Sequence, residues 1–134
     1  CLGMQILLTV SYEFGVHKGL GLIEGKVIKI SNKKNKEIKI PHIGWNELYP
    51  NNDKKVWKNK ILNNSLIGKS FYFIHSFVCL TKNPNSTIAV CNYSGISIPA
   101  IVSVGNIFGC QFHPERSGKL GLQILKKFSS IKAN

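Results

Sequence analysis

The stretch QFHPERSGKLGLQILKKF, residues 111–128, decides how the chain is read. Its second half is an amphipathic helix. Leu120, Ile124 and Phe128 recur at four-residue spacing, Ser117 stands where an N-cap belongs, and Lys126 and Lys127 lie near the C-terminal end of the helix dipole. Just upstream, Pro114 has no backbone N–H and biases His113 towards an extended backbone, so the strand-like run IFGCQF ends there. His113 and Glu115 are two residues apart, and in an extended segment their side chains share one side. A carboxylate beside an imidazole selects its tautomer and stabilises the imidazolium, the orienting role in a catalytic triad. A lone histidine is more often structural than catalytic, so this pair needs a nucleophile before it means anything.

The other end of the sequence offers one. CLGMQ, residues 1–5, places Cys1 directly before Leu-Gly and an apolar helical segment. That pattern matches the second half of a nucleophile elbow, in which a strand turns sharply into a helix. A cysteine at a helix N-terminus meets the positive end of the dipole, which favours thiolate. The Leu2 N–H would then face an oxyanion formed at an attacked carbonyl. The glycine and strand that open such an elbow are not among these residues, and taken alone Cys1 reads as an ordinary cysteine. Cys79, Cys91 and Cys110 lie in apolar, strand-like runs and read as reduced core residues.

Composition narrows the classes. At 134 residues, 43% hydrophobic and 10% aromatic, the chain is one domain with a real core. The net charge of +12 invites a nucleic-acid partner. Yet Arg116 is the only arginine among 18 basic residues, and the basic runs KVIKISNKKNKEIKI and DKKVWKNK alternate with asparagine like solvated loops. Lysine, asparagine and isoleucine share AT-rich codons, so genome composition accounts for the charge and no nucleic-acid partner is expected. The longest apolar runs, such as IPAIVSVG, are too short to span a bilayer, and no membrane association is expected. The first residues lack the basic region and small-residue cleavage site of a signal peptide, which predicts a cytoplasmic location. The histidines and cysteines lack zinc-like spacing, so no metal is expected. The chain begins on Cys1 rather than methionine, which predicts a fragment or a processed product.

Along the chain, LGMQILLTV (2–10) reads as a helix with Leu2, Ile6 and Leu7 inward, and SYEFGVHKGLGLIEG as a glycine-rich loop. KVIKI and KEIKI read as strands of a surface hairpin spanning 26–40, and IPHIGWNELYPNN as an exposed loop. SFYFIHSFVCL, STIAVCNYSG and IPAIVSVGNIFGCQF are rich in β-branched and aromatic residues and read as strands. The expectation is one domain, β-rich in its middle with helices at the ends.

CLGMQ, PHIGWN, YFIHSF and GCQFHPERS, in this order, resemble class I glutamine amidotransferases, and the match covers nearly the whole chain. GLGLI at 19–23 with PHIGWN at 41–46 is similar to the glutaminase subunits of imidazole glycerol phosphate synthase, which supply ammonia to a TIM-barrel cyclase in histidine biosynthesis. HKGLGLIEGKV and the GLQILKKF ending fit equally well the related subunits of surface-polysaccharide pathways.

The resemblance implies an α/β, flavodoxin-like sheet with flanking helices, of which residues 1–134 form the C-terminal part, starting at the nucleophile, with the front portion missing. It implies that Cys1 attacks the side-chain amide of L-glutamine, His113 acts as acid and then base, and Glu115 orients His113. Gly3 and Gln5 would help to hold the substrate, and the His75-Ser76-Phe77 segment would hold its amino-acid end through backbone contacts. Pro41, His42, Gly44, Trp45 and Asn46 would face the synthase partner in a heterodimer. No cofactor is implied. The missing front would supply central strands and part of the oxyanion hole, so the 134 residues alone are expected to fold poorly and to be catalytically weak. Two rival classes fit less of the sequence: a papain-like cysteine protease, whose Gly-Ser-Cys-Trp pattern is absent, and a non-catalytic module that binds the synthase through the PHIGWN face.

Overall fold

The computed structural model describes residues 1–31, 37–51, 57 and 59–132. Two helices and ten strands are laid out in the order α1 (Leu2–Ile6), β1 (Leu8–Ser11), β2 (His17–Lys18), β3 (Ile23–Lys29), β4 (His42–Glu47), β5 (Tyr49–Pro50), β6 (Ser70–His75), β7 (Phe77–Thr81), β8 (Thr87–Tyr93), β9 (Ile96–Val104), β10 (Ile107–Cys110) and α2 (Gly118–Ser129). The order mixes α and β, with strands dominating the middle and helices at both ends. One four-stranded sheet runs β2-β1-β3-β7, with β1 and β3 parallel and the other neighbours antiparallel. A second runs β10-β9-β8-β5 and is antiparallel throughout. β4 and β6 form a separate antiparallel pair.

The main core lies between the second sheet, the β4–β6 pair and α2, and includes Phe71, Phe73, Ile101, Phe112 and Ile124. Phe71 and Phe73 are inward and Ser70 and Ile74 outward, the period-two alternation of a half-buried strand. A smaller core of Met4, Leu8, Ile23, Val27, Cys79 and Val102 joins α1 to the first sheet and to β9.

Several sequence expectations change. The first helix stops at Ile6 rather than continuing to residue 10, because Thr9 and Val10 are β-branched and Leu8–Ser11 pairs with β3. In the five-residue helix Met4 turns inward, while Leu2 and Ile6 are exposed. The stretch expected to be a loop at 11–25 holds β2 and the start of β3. The expected surface hairpin at 26–40 does not form. KVIKI belongs to β3, which sits between β1 and β7, and residues 37–40 form no strand; residues 32–36 lie outside the described set.

PHIGWN is a strand rather than a loop. His42, Gly44 and Asn46 alternate with the exposed Ile43, Trp45 and Glu47, a pattern that the flanking proline and the glycine had masked. SFYFIHSFVCL breaks at Ser76 into β6 and β7. The long apolar run after residue 96 is a hairpin, because Gly105 and Asn106 make a two-residue turn with Val104 opposite Ile107, and Gly105 adopts φ +60°.

The closing helix forms where expected, with Ile124 of the apolar stripe buried and Phe128 half exposed, and Gly121 sets how closely it packs. A Cβ on Gly121 would stand 1.9 Å from the Pro114 carbonyl oxygen. Gly121→Ala is therefore expected to push α2 off the His113–Arg116 turn and to destabilise the fold by about 1–3 kcal/mol. Thermal unfolding measures this, and an unchanged melting temperature would contradict the packing described.

Candidate active site

α1 and β10 bring the two ends of the sequence together. A Cβ on Gly109 would stand 2.9 Å from Met4 Cγ and 3.1 Å from Leu7 Cδ1. The bare glycine lets α1 lie directly on β10. Cys1, the N-cap residue of α1, is thereby set beside the chain that continues from β10 through Gln111 and Phe112 to His113. Cys1, Gly3, His113 and Glu115 line one cavity of about 330 Å3, with Met4, Leu7 and Phe108 among its apolar walls.

His113 is clamped to β6. Its N–H donates to the Tyr72 carbonyl at 2.9 Å. The Ser117 hydroxyl donates to the His113 carbonyl at 2.7 Å and accepts from the Tyr72 N–H at 3.0 Å. Ser117 occupies the expected N-cap position, but its hydroxyl holds the His113 turn instead of capping α2. Arg116 lays its guanidinium over the Tyr72 ring, 4.8 Å from the centroid.

His113 Nδ1 lies 2.8 Å from Glu115 Oε1. The pairing arises differently from the extended alternation expected. His113 is extended, but Pro114–Arg116 is a 3-10 turn that folds Glu115 back onto the ring. A carboxylate only accepts, so Nδ1 carries the proton and Nε2 keeps its lone pair. Slight burial pushes the Glu115 carboxyl up. Its own backbone N–H, His113 and Arg116 outweigh this and hold it below the usual carboxylate range.

Burial pushes the Cys79 and Cys91 thiols up to about 12. It does the same at Cys110, assisted by the charge of Glu115. Each is a neutral thiol at ordinary pH, including Cys110 on the wall of the same cavity, which leaves Cys1 as the candidate nucleophile.

The remaining expected residues divide. Gly3 shares the cavity with Cys1, whereas Gln5 lines a second cavity of about 400 Å3 together with Ser11, Glu13 and His17. His75, Ser76 and Phe77 form the corner between β6 and β7. There the His75 side chain is buried, and its Nδ1 donates to the Phe77 carbonyl at 2.9 Å. Of the expected partner-facing set, Pro41 and Trp45 are exposed and Gly44 is half-buried. His42 is fully buried, because strand alternation turns it inward, so it presents no surface to a partner. The Asn46 side chain also points inward, between His42 and the Asn92 carbonyl.

Sequence reasoning missed Gln111. It is fully buried, and in the amide orientation that satisfies both ends, its nitrogen donates to the Phe77 carbonyl at 3.2 Å and its oxygen accepts from the Cys1 nitrogen at 2.8 Å. A glutamine inside the apolar run IFGCQF was the available signal, since a buried polar side chain needs partners. Glu13 lies in the second cavity beside Gln5. Among the described residues no three His, Cys, Asp or Glu side chains converge as a metal site, and no helix is long and apolar enough to cross a membrane.

Comparison with known proteins gives this geometry a context. Imidazole glycerol phosphate synthase subunit HisH 1 of Legionella pneumophila (strain Lens) is 46% identical over 133 residues, covering 98% of this chain and 62% of its own length. Subunit HisH of Streptococcus sanguinis (strain SK36) is 43% identical over 128 residues, covering 96% and 57%. Subunit HisH of Bacillus subtilis (strain 168) is 38% identical over 135 residues, covering 99% and 60%. The chain thus spans roughly three-fifths of the length of the relatives it matches. The family model of glutamine amidotransferase class-I matches residues 1–131. A cavity shared by a cysteine at a helix start and a carboxylate-oriented histidine, together with a match over almost every residue, places the chain in the class-I glutamine amidotransferase family.

Proposed function

We propose that the protein carrying this chain hydrolyses L-glutamine to glutamate and ammonia, and that the ammonia passes to a cyclase subunit making imidazole glycerol phosphate in histidine biosynthesis. The observation that carries the chemistry is the single cavity lined by Cys1, His113 and Glu115, with His113 Nδ1 on the Glu115 carboxylate. Cys1 Sγ adds to the amide carbon of the glutamine side chain. His113 Nε2 takes the thiol proton as Sγ adds and passes it to the departing nitrogen as the C–N bond breaks, leaving a γ-glutamyl thioester. The imidazole then takes a proton from water as the water oxygen attacks, and the C–S bond breaks to release glutamate and the free thiol. Glu115 keeps the ring in one orientation and stabilises its charged form through both halves. Gly3 gives the substrate close access beside Cys1, and the β6–β7 corner at His75–Phe77 holds its amino-acid end.

The names of the relatives favour the histidine route over the surface-polysaccharide one. The partner-facing surface is the outer side of the β4–β6 pair, where Trp45 and Ile43 are more than half exposed and Tyr72 lies directly opposite Trp45. An exposed tryptophan on a rigid strand suits an interface anchor. We infer a cytoplasmic location for the complex.

Kinetics of the whole protein with its cyclase partner test these roles. Cys1→Ala is expected to abolish glutamine hydrolysis while leaving ammonia-dependent cyclisation intact. Full hydrolysis by that variant would sink the proposal. Glu115→Gln is expected to lower kcat on the order of 10²-fold or more with little change in KM, because it misdirects the ring without touching substrate. Because the Glu115 carboxyl already sits below the usual range, it stays ionised on acidification, and the acid limb of the wild-type pH profile is expected to survive in Glu115→Gln. Trp45→Ala is expected to weaken partner binding by about 2 kcal/mol, roughly 30-fold in Kd. Calorimetry of the two subunits measures it, and unchanged affinity would move the interface elsewhere.

A further inference from the structure

Two buried histidines outside the catalytic cavity form a hydrogen-bonded chain. His75 Nδ1 lies 2.9 Å from the Phe77 carbonyl, His75 Nε2 lies 2.8 Å from His42 Nδ1, and His42 Nε2 lies 2.7 Å from Asn46 Oδ1. Beyond it, Asn46 Nδ2 donates to the Asn92 carbonyl at 2.9 Å. At the opposite end the Phe77 carbonyl also accepts from Gln111, whose oxygen contacts the Cys1 nitrogen.

The protons in this chain can be counted. Both ends, the Phe77 carbonyl and Asn46 Oδ1, are acceptors, so each outer ring nitrogen must carry a proton. The 2.8 Å contact between the rings needs one more. The three contacts together require three N–H protons, whereas two neutral imidazoles carry two. Turning the Asn46 amide over would let Nδ2 donate to His42 Nε2, but it would set Oδ1 against the Asn92 carbonyl, an acceptor facing an acceptor. With the Asn46 amide bonded to the Asn92 carbonyl, all three ring contacts are satisfied at once only by an imidazole–imidazolium pair.

We propose that His42 and His75 form a one-proton latch, in which a single proton taken up by the pair closes the His42–Asn46 contact and ties strand β4 to the β6–β7 corner. In the neutral pair the outer contact gives way first. His75 keeps its proton on the Phe77 carbonyl, His42 donates to His75, and a lone pair on His42 Nε2 is left facing Asn46 Oδ1. β4 carries Trp45 on its outer side, and Phe77 is bonded through Gln111 to Cys1. The latch therefore lies between the exposed aromatic face and the nucleophile. It follows from hydrogen-bond geometry and does not depend on the glutamine-hydrolysis proposal.

The surroundings set the direction of titration. His42 lies between the Phe73 and Tyr93 rings, with centroids 5.0 and 4.0 Å away. Among the described residues, the other titratable side chain facing the pair is the Tyr93 phenol, which stacks on His42 and donates to the Lys39 carbonyl. No carboxylate among these residues faces the pair. Burial lowers the affinity of His75 for a proton to a pKa of about 4 and also lowers that of His42. The folded pair holds its proton less readily than the unfolded chain, so its contribution to stability is lost as pH falls below the ordinary histidine value. Because the rings are coupled, the titration belongs to the pair and not to either ring.

Nitrogen NMR of labelled histidines in the whole protein, followed against pH, reads the latch directly. The expected result is that His42 and His75 titrate together in one step, below the ordinary histidine range, with three N–H protons across the pair in the acid form. Asn46→Asp places a carboxylate on His42 Nε2 and is expected to raise that midpoint by about one pH unit or more. Asn46→Ala removes the acceptor and is expected to lower it. Independent titration of the two rings, two protons at every pH at which the protein is folded, or a midpoint that Asn46→Asp leaves unmoved would each overturn the proposal. The wild-type measurement stands even if a variant does not fold.

Discussion

The cavity that Cys1 shares with His113 depends on one close approach, the packing of α1 on β10 at Gly109. Cys1 and His113 are separated by more than a hundred residues of sequence, and no direct hydrogen bond between their side chains holds them together. What joins them is the packing of the Met4 and Leu7 side chains against the bare Gly109 backbone. Met4 and Leu7 lie where a side chain on Gly109 would be. Met4 also fills the smaller core with Leu8, Ile23 and Val102, so the same contact links the first sheet to the second. Interiors pack at near-crystalline density, and a displacement there has no free volume to absorb it.

A second approach fixes the histidine. Gly121 lets α2 touch the Pro114 carbonyl, and Ser117, in the turn between them, holds the His113 backbone to Tyr72 of β6. The imidazole therefore stands on three elements: the end of β10, the start of α2 and the middle of β6. Tyr72 pairs directly with Trp45 on β4. A change of register or tilt in the exposed β4–β6 pair would reach His113 through its backbone hydrogen bond to Tyr72 and through the Ser117 hydroxyl that bridges the two residues. A partner docking on that face would thus act on His113 through a short path.

The ends of the chain were legible in the sequence, and the middle much less so. His113, Glu115 and the α2 stripe could be read because proline, a charged pair and four-residue spacing leave local signals. Cys1 could be read only with its Leu-Gly-Met-Gln context, through resemblance. PHIGWN was misjudged because proline and glycine suggested a loop, while its burial alternates as in a strand. That alternation is imposed by pairing with β6, a partner distant in sequence. The same cause hid the inward turn of His42 and Asn46, which a surface reading had assigned to the partner face. KVIKI looked like half of a hairpin because its neighbour along the chain is also alternating. Its actual neighbours are β1 and β7, and sheet partners far along the chain leave no local trace. Gln111 was visible only as a polar anomaly, and its role needed three dimensions.

In the proposed chemistry Cys1 forms a covalent γ-glutamyl thioester while His113 serves it as acid and base. Acid-quenching the whole protein during turnover with glutamine, followed by peptide mass spectrometry, tests it most directly. A glutamyl adduct is expected on the peptide containing CLGMQ, enriched when Glu115→Gln slows thioester hydrolysis and absent in Cys1→Ala. An adduct on Cys110, or steady turnover with no adduct on Cys1 under conditions that trap one in an authentic class-I glutaminase, would contradict it.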